Sequence, residues 1–89
     1  MKKLIYGGHD PSTLVEGCVA KVCDAYAVVY PKQNAGDLTP KDSVTFSLSD
    51  WRGGNVPQAQ QIVILVNPML YMRGWRAREA YPITVQGGK

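Results

Sequence analysis

The chain has few of the residues from which metal sites and catalytic sites are built. It contains one histidine, His9, and two cysteines, Cys18 and Cys23, among its 89 residues. These side chains fall short of the four ligands of a structural zinc site. The odd separation of the two cysteines would place them on opposite faces of one extended strand, which argues against a disulfide between them. We therefore expect free thiols, no bound metal and no cofactor.

The patterns of common enzyme sites are also missing. The glycine pairs Gly7–Gly8, Gly53–Gly54 and Gly87–Gly88 lack the lysine-containing loop that cradles phosphates. No two carboxylates are spaced so that one would serve as an acid and the other as a base. His9 has no serine, cysteine or carboxylate in an arrangement that identifies a nucleophile and its base. The sequence predicts that the protein is not an enzyme.

Long hydrophobic runs are absent as well. The first apolar run, Leu4–Tyr6, covers three residues, whereas a secretory signal needs roughly 7 to 15. A hydrophobic content of 45% with 19% charged residues is ordinary for a globular protein. We expect a single cytoplasmic domain that spans residues 1–89.

What the sequence does contain is a series of short β patterns. Val44, Phe46 and Leu48 alternate with serine and threonine, which is typical of a half-buried strand. The continuous apolar run Ile62–Val66 indicates a central strand. Counting β-branched and aromatic runs between turn residues gives strands near residues 17–23, 25–31, 43–49, 60–67 and 75–83.

Five short strands without a periodic helix predict an all-β fold. Closure into a small barrel over residues 17–83 would remove the exposed sheet edges, and an oligonucleotide-binding (OB) fold is the leading architecture, with an SH3-like barrel as the alternative. Residues 1–16 are expected to form an arm or extra strand, or to include a single helical turn capped by Asp10. The tail, residues 84–89, is expected to fray.

Charge is distributed unevenly along the chain. Residues 1–50 hold five lysines against six carboxylates, a net of −1, whereas residues 51–89 hold four arginines and one lysine against Glu79, a net of +4. Guanidinium groups suit bidentate phosphate contacts better than ammonium groups do. The C-terminal half is therefore the candidate for an anion-binding surface.

Two clusters in that half combine tryptophan with arginine. In the first, Trp51 and Arg52 precede a glycine pair, so that Trp51 either plugs a barrel end or stacks on a ligand from a loop. The second, Arg73–Arg78, contains Trp75. In a regular strand Trp75, Ala77 and Glu79 share one face, whereas Arg76 and Arg78 share the other and either contact successive phosphates or guard a sheet edge.

The order of three segments resembles the cold-shock domain family. Gly17–Val22 is similar to the family's opening Gly-x-Val strand, Asp24–Val29 to its aromatic-rich second strand, and Val44–Ser49 to its third strand. The resemblance implies an OB-type barrel that stacks single-stranded bases on exposed aromatics. Tyr26 matches the first aromatic of the second strand. Val28, Thr45 and Ser47 stand where the family has further stacking residues.

Two functions follow as hypotheses. In the first, the chain is a non-catalytic module that binds single-stranded DNA or RNA. Its candidate contact residues are Tyr26, Tyr30, Trp51, Arg52, Arg73, Arg76 and Arg78. In the second, the same surface docks on a partner protein, because tryptophan, tyrosine and arginine are also enriched at interface hot spots. An exposed edge at Trp75–Tyr81 would in addition favour self-association.

Overall fold

The structure is a computed structural model that describes residues 6–83, and in this range it is all-β, without an α-helix. Three single 3-10 turns cover Tyr6–Gly8, Pro11–Thr13 and Leu48–Asp50. No helix in the described range is long and apolar enough to cross a membrane. The strands are β1 Leu14–Val22, β2 Tyr26–Pro31, β3 Val44–Ser47, β4 Ile62–Val66, β5 Met69–Tyr71, β6 Gly74–Arg76 and β7 Glu79–Pro82.

All seven strands belong to one curled sheet in the order β5-β6-β3-β2-β1-β4-β7. β1, β2 and β3 form an antiparallel meander, and β4 and β7 continue the antiparallel sheet beyond β1. Trp51, which follows β3, makes a parallel bridge to Ala80 of β7 and so brings the curled sheet toward closure. The predicted all-β, barrel-like class is confirmed at this level.

The core lies inside the curl, where alternate residues of the strands meet. Val44 and Phe46 of β3 are fully buried, as the period-two pattern predicts. β4 is buried along Val63–Val66 and lies between β1 and β7, which agrees with its prediction as a central strand. Leu48 also packs against the core, although β3 ends at Ser47 and Leu48 begins a 3-10 turn.

The prediction of five strands is wrong in number, because the segment expected at residues 75–83 is two strands. Ala77 and Ala80 are both buried although they are three residues apart, so one regular strand cannot hold them. The Ala77 amide donates to the Thr45 carbonyl of β3, whereas the Arg78 amide donates to the Val66 carbonyl of β4. The chain therefore changes its sheet neighbour between these two residues. β5 is the other strand that the sequence did not predict.

The segment before β1 contains the capped turn that was one of the two expectations for it. The Asp10 side chain accepts a hydrogen bond of 3.0 Å from the Ser12 amide, and Pro11 begins the turn. β1 then starts at Leu14, earlier than the predicted residue 17. Cys18 and Cys23 are free thiols, as expected. Residues 1–5 and the tail at 84–89 lie outside the described residues.

Candidate functional site

A groove of about 540 Å³ lies between the β5–β6 hairpin and the start of β2 and end of β3. We call it the aromatic groove, because Tyr26 and Trp75 are among the residues that line it. Arg73 and Arg76 line it as well, and Thr45 and Ser47 add hydroxyl groups. Its complete lining is Ala25, Tyr26, Thr45, Phe46, Ser47, Arg73, Gly74, Trp75 and Arg76.

Strand pairing places these side chains together. Tyr26 begins β2 directly opposite Ser47 of β3. β6 lies on the other side of β3, in parallel, with Arg76 opposite Thr45. Trp75 is opposite the fully buried Val44 and packs against the core. Gly74 has φ of +119°, a backbone conformation that side-chain-bearing residues rarely adopt, and it lets the hairpin turn directly after Arg73. The hairpin thus forms one wall of the aromatic groove.

The electrostatics of the aromatic groove favour an anion. Arg73 and Arg76 are exposed, and neither forms an ion pair with another residue in the described range. No carboxylate lines the groove, and the nearest acidic residue in sequence is Asp24, in the preceding turn. The neighbouring Cys23 side chain raises the pKa of the Tyr26 phenol above its ordinary value.

Arg76 and Arg78 meet at a second groove, of about 400 Å³, on the other side of the hairpin. Both are exposed, as the sequence predicts. Asp50 lines this second groove too, together with Tyr71. Its carboxylate offsets part of the positive charge, so the second groove is the weaker anion site of the two.

Arg52 lies apart from both grooves and is held by a carboxylate. Its Nη2 donates to Glu79 Oε2 at 3.0 Å, and its Nη1 donates to the Ser49 carbonyl at 3.4 Å. The hydrogen bond to Glu79 is the main reason that the pKa of Arg52 is raised. Arg52 was predicted as a phosphate contact, but a phosphate would have to compete with Glu79 for it.

Trp51 is partly buried and packs against the core. Its ring is stacked on Phe46 with centroids 5.7 Å apart and planes 19° apart. Its indole nitrogen donates to the Asn55 carbonyl at 2.6 Å. A Cβ atom at Gly53 would lie 2.6 Å from the indole, so the chain passes directly against the ring. Trp51 is half-buried and also lines a groove of about 560 Å³, together with Gly53, Gly54 and Asn55.

Glu79 is the centre of a polar cluster that sequence reasoning missed. His9 Nε2 lies 2.9 Å from Glu79 Oε1, and the Tyr81 hydroxyl donates to the same oxygen at 3.1 Å. Hydrogen bonds from His9 and then from Arg52 hold the pKa of Glu79 below its ordinary value. Burial is the main cause that raises the pKa of Tyr81. His9 is 70 residues from Glu79 along the chain, so no local pattern could reveal the pair.

No family model, curated protein or solved structure matches this chain. The resemblance to the cold-shock domain family therefore stays a prediction. Within the described residues no group of three or more histidine, cysteine or acidic side chains is placed to hold a metal ion.

The remaining predicted residue, Tyr30, stands on the outer face of β2 away from the aromatic groove. It is paired with Cys18 of β1 and is exposed. The structure thus brings Tyr26, Arg73 and Arg76 together, adds Trp75 to them, and separates them from Trp51, Arg52 and Tyr30.

Proposed function

We propose that the chain is a non-catalytic module that binds single-stranded nucleic acid in the aromatic groove. The observation that carries this proposal is the composition of the groove. Tyr26 and Trp75 lie beside Arg73 and Arg76, which have no ion-pair partner among residues 6–83, and no carboxylate lines the wall. Tyr26 is 43% exposed, whereas Trp75 is half-buried and packs against the core. An exposed ring next to cations is the combination with which proteins hold single strands.

A single strand fits this arrangement better than a duplex does. Base faces in a duplex are covered by their neighbours, whereas unpaired bases can stack on aromatic side chains. Each stacked base contributes about 1 to 3 kcal/mol, and cations supply a salt-dependent attraction to phosphates. Thr45 and Ser47 add hydrogen-bonding groups to the groove wall.

The strand order supports an OB-type barrel as the scaffold for this function. β1, β2 and β3 form a meander, β4 pairs with β1, and β7 pairs with β4. The parallel bridge from Trp51 to Ala80 then links the end of β3 to β7. This is the circular order of a five-stranded Greek-key barrel, to which β5 and β6 are added as a hairpin.

The experiment compares two arginines on opposite sides of the hairpin. Arg73 lines only the aromatic groove, whereas Arg78 lines only the second groove. Binding of labelled single-stranded DNA and RNA oligomers is measured by fluorescence anisotropy over a range of salt concentrations. We expect Arg73→Ala to reduce the slope of log K against log salt by about 0.7, the value for one phosphate contact on a single strand. Arg78→Ala, the matched control, should leave the slope close to that of the wild type.

Three results would count against the proposal. If the wild type does not bind at the lowest salt concentration, the chain is not a nucleic-acid-binding module. If Arg78→Ala weakens binding and Arg73→Ala does not, the aromatic groove is not the site. If duplex binds as tightly as single strand, stacking does not contribute to recognition.

A second candidate function is protein interaction, and the observation that favours it is the β5 edge. Met69, Leu70, Tyr71 and Met72 are all exposed. β5 ends the sheet, so one side of its backbone has no strand partner among the described residues. We propose that β5 of a second copy of this chain pairs with that edge, because β5 carries no charge that would repel the same strand of the other copy.

A further inference from the structure

The outer surface of the sheet carries one row of paired residues that crosses four strands. Lys21 of β1 is directly opposite Val28 of β2, and Val28 is opposite Thr45 of β3. Thr45 is in turn paired with Arg76 of β6. Residues that are directly paired project from the same face of a sheet. We call these four residues the outer row; it has a cation at each end.

A β-bulge is the reason that Lys21 belongs to the outer row. Val19 faces the core and is fully buried, so regular alternation would turn Lys21 toward the core as well. The register of β1 against β2 shifts between Val19 and Lys21, which leaves Ala20 as the extra residue. Ala20 and Lys21 are consequently both exposed, and Val22 returns to pack against the core.

Two exposed tyrosines flank the outer row on β2. Tyr26 and Tyr30 lie two residues to either side of Val28, on the same face of the strand, and are 43% and 42% exposed. Each is therefore about 7 Å from the row along the strand. The row itself spans three strand spacings, or about 14 Å, between Lys21 and Arg76. Two cations at that separation are too far apart to meet at one phosphate.

We propose that a single strand crosses β2 and β3 along the outer row, with Arg76 and Lys21 on separate phosphates and a base on Tyr26. This inference rests on the proposed function and extends its site from the aromatic groove to β1. Lys21 forms no ion pair with another described residue. By contrast, the Nζ atom of Lys32, which directly follows β2, lies 3.5 Å from Glu16 Oε2. Of these two lysines, Lys21 is thus the one that is free to contact a phosphate.

The test measures the salt dependence of binding to a labelled oligothymidylate for the wild type and four variants. Lys21→Ala and Arg76→Ala each remove one end of the outer row, and a third variant combines them. Lys41→Ala removes the same charge from the turn that precedes β3 and serves as the control. We expect slope losses of about 0.7 for each end and about 1.4 for the combination, because contacts this far apart act independently.

The outcomes separate this inference from the proposed function. If Arg76→Ala lowers the slope and Lys21→Ala does not, the path across the sheet is wrong while the groove remains a binding site. If Lys41→Ala lowers the slope as much as Lys21→Ala does, only net charge matters and the outer row is not a path. If the wild type does not bind the oligomer, both proposals fall.

Discussion

At the scale of single residues, Glu79 connects three distant parts of the chain. Its two carboxylate oxygens contact His9 before β1, Arg52 after β3 and Tyr81 within β7. The side chain of Glu79 is 21% exposed, less than that of His9 or Arg52. A carboxylate that accepts several hydrogen bonds is stabilised in its charged form. The cluster therefore holds the segment before β1 against the strand that ends the sheet.

This cluster predicts an acid sensitivity of the fold. The pKa of Glu79 is lowered in the folded protein, first by His9 and then by Arg52, from an ordinary value of 4.5. Its contribution to the free energy of unfolding is thus present above that ordinary value and is lost as the pH falls through the lower, folded value. We expect Glu79→Gln to reduce the free energy of unfolding at pH 7, and we expect this difference to shrink as the pH falls below about 4.5.

Urea denaturation of both proteins at a series of pH values checks this prediction. Glu16→Gln is the matched control, because Glu16 lies 3.5 Å from the exposed Lys32 and such surface pairs contribute at most about 1 kcal/mol. A difference between Glu79→Gln and the wild type that stays constant from neutral to acidic pH would mean that the charge of Glu79 does not stabilise the fold.

Residue types in the candidate site were predictable from the sequence, and their partners were not. The arginine-rich segment and the first aromatic of β2 point to Arg73, Arg76 and Tyr26. Arg52 also follows a tryptophan, as Arg76 does. Its hydrogen-bond partner Glu79, however, is 27 residues away along the chain. A contact at that separation leaves no local pattern, so the sequence could not show that Arg52 is already engaged.

At the scale of elements, β1 is the longest strand of the described residues, and it pairs with both β2 and β4. Gly17 of β1 lies close against Val29 and Tyr30 of β2. A Cβ atom there would stand 2.5 Å from Val29 Cγ1 and 3.0 Å from the Tyr30 carbonyl oxygen. The first contact is buried and the second is with backbone, so neither neighbour can move aside easily.

We expect Gly17→Ala to lower the free energy of unfolding by about 1 to 3 kcal/mol, the usual cost of overpacking. Gly54→Ala is the control, because a Cβ atom at Gly54 meets nothing within 4 Å. Chemical denaturation followed by tryptophan fluorescence measures both variants. Equal stability of Gly17→Ala and the wild type would show that β1 and β2 can separate enough to admit a methyl group.

The elements that the sequence predicted are those with a regular period. The alternation in β3 and the apolar run of β4 each gave a strand, because burial on one face or on both leaves a pattern in the sequence. The bulge at Ala20 and the change of neighbour after Ala77 interrupt the period within a strand pattern. Both depend on which strand lies alongside, and that information is not local.

At the scale of the whole molecule, folding brings together charges that are far apart in the sequence. The C-terminal half holds most of the net positive charge, and two of its arginines line the aromatic groove. Strand pairing adds Lys21, from the slightly acidic half, to the same outer surface as Arg76. A basic surface built from both halves of the chain is therefore a property of the topology.

The same topology decides where the sheet is open. An edge was expected at Trp75–Tyr81, but β6 lies between β5 and β3 and is not an edge. β7 ends the sheet on one side, where Ala80 is bridged by Trp51 and its carbonyl accepts from the Arg52 amide at 2.8 Å. β5 ends the other side. Leu70 is 64% exposed and Met72 fully exposed there, without the charges or bulges that usually protect an edge.

The β5 edge leads to a prediction of self-association. Antiparallel pairing of two copies centred on Leu70 would place Met69 opposite Tyr71 and Arg73 opposite the neutral Asn67, so no like charges meet. We expect sedimentation equilibrium to show a concentration-dependent dimer. Leu70→Lys should weaken association at least about tenfold, because burial of a leucine contributes about 1.5 to 3 kcal/mol. Val56→Lys adds the same charge at another exposed apolar residue and should dimerise like the wild type. A wild type that stays monomeric at the highest concentration would show that the β5 edge does not pair with itself.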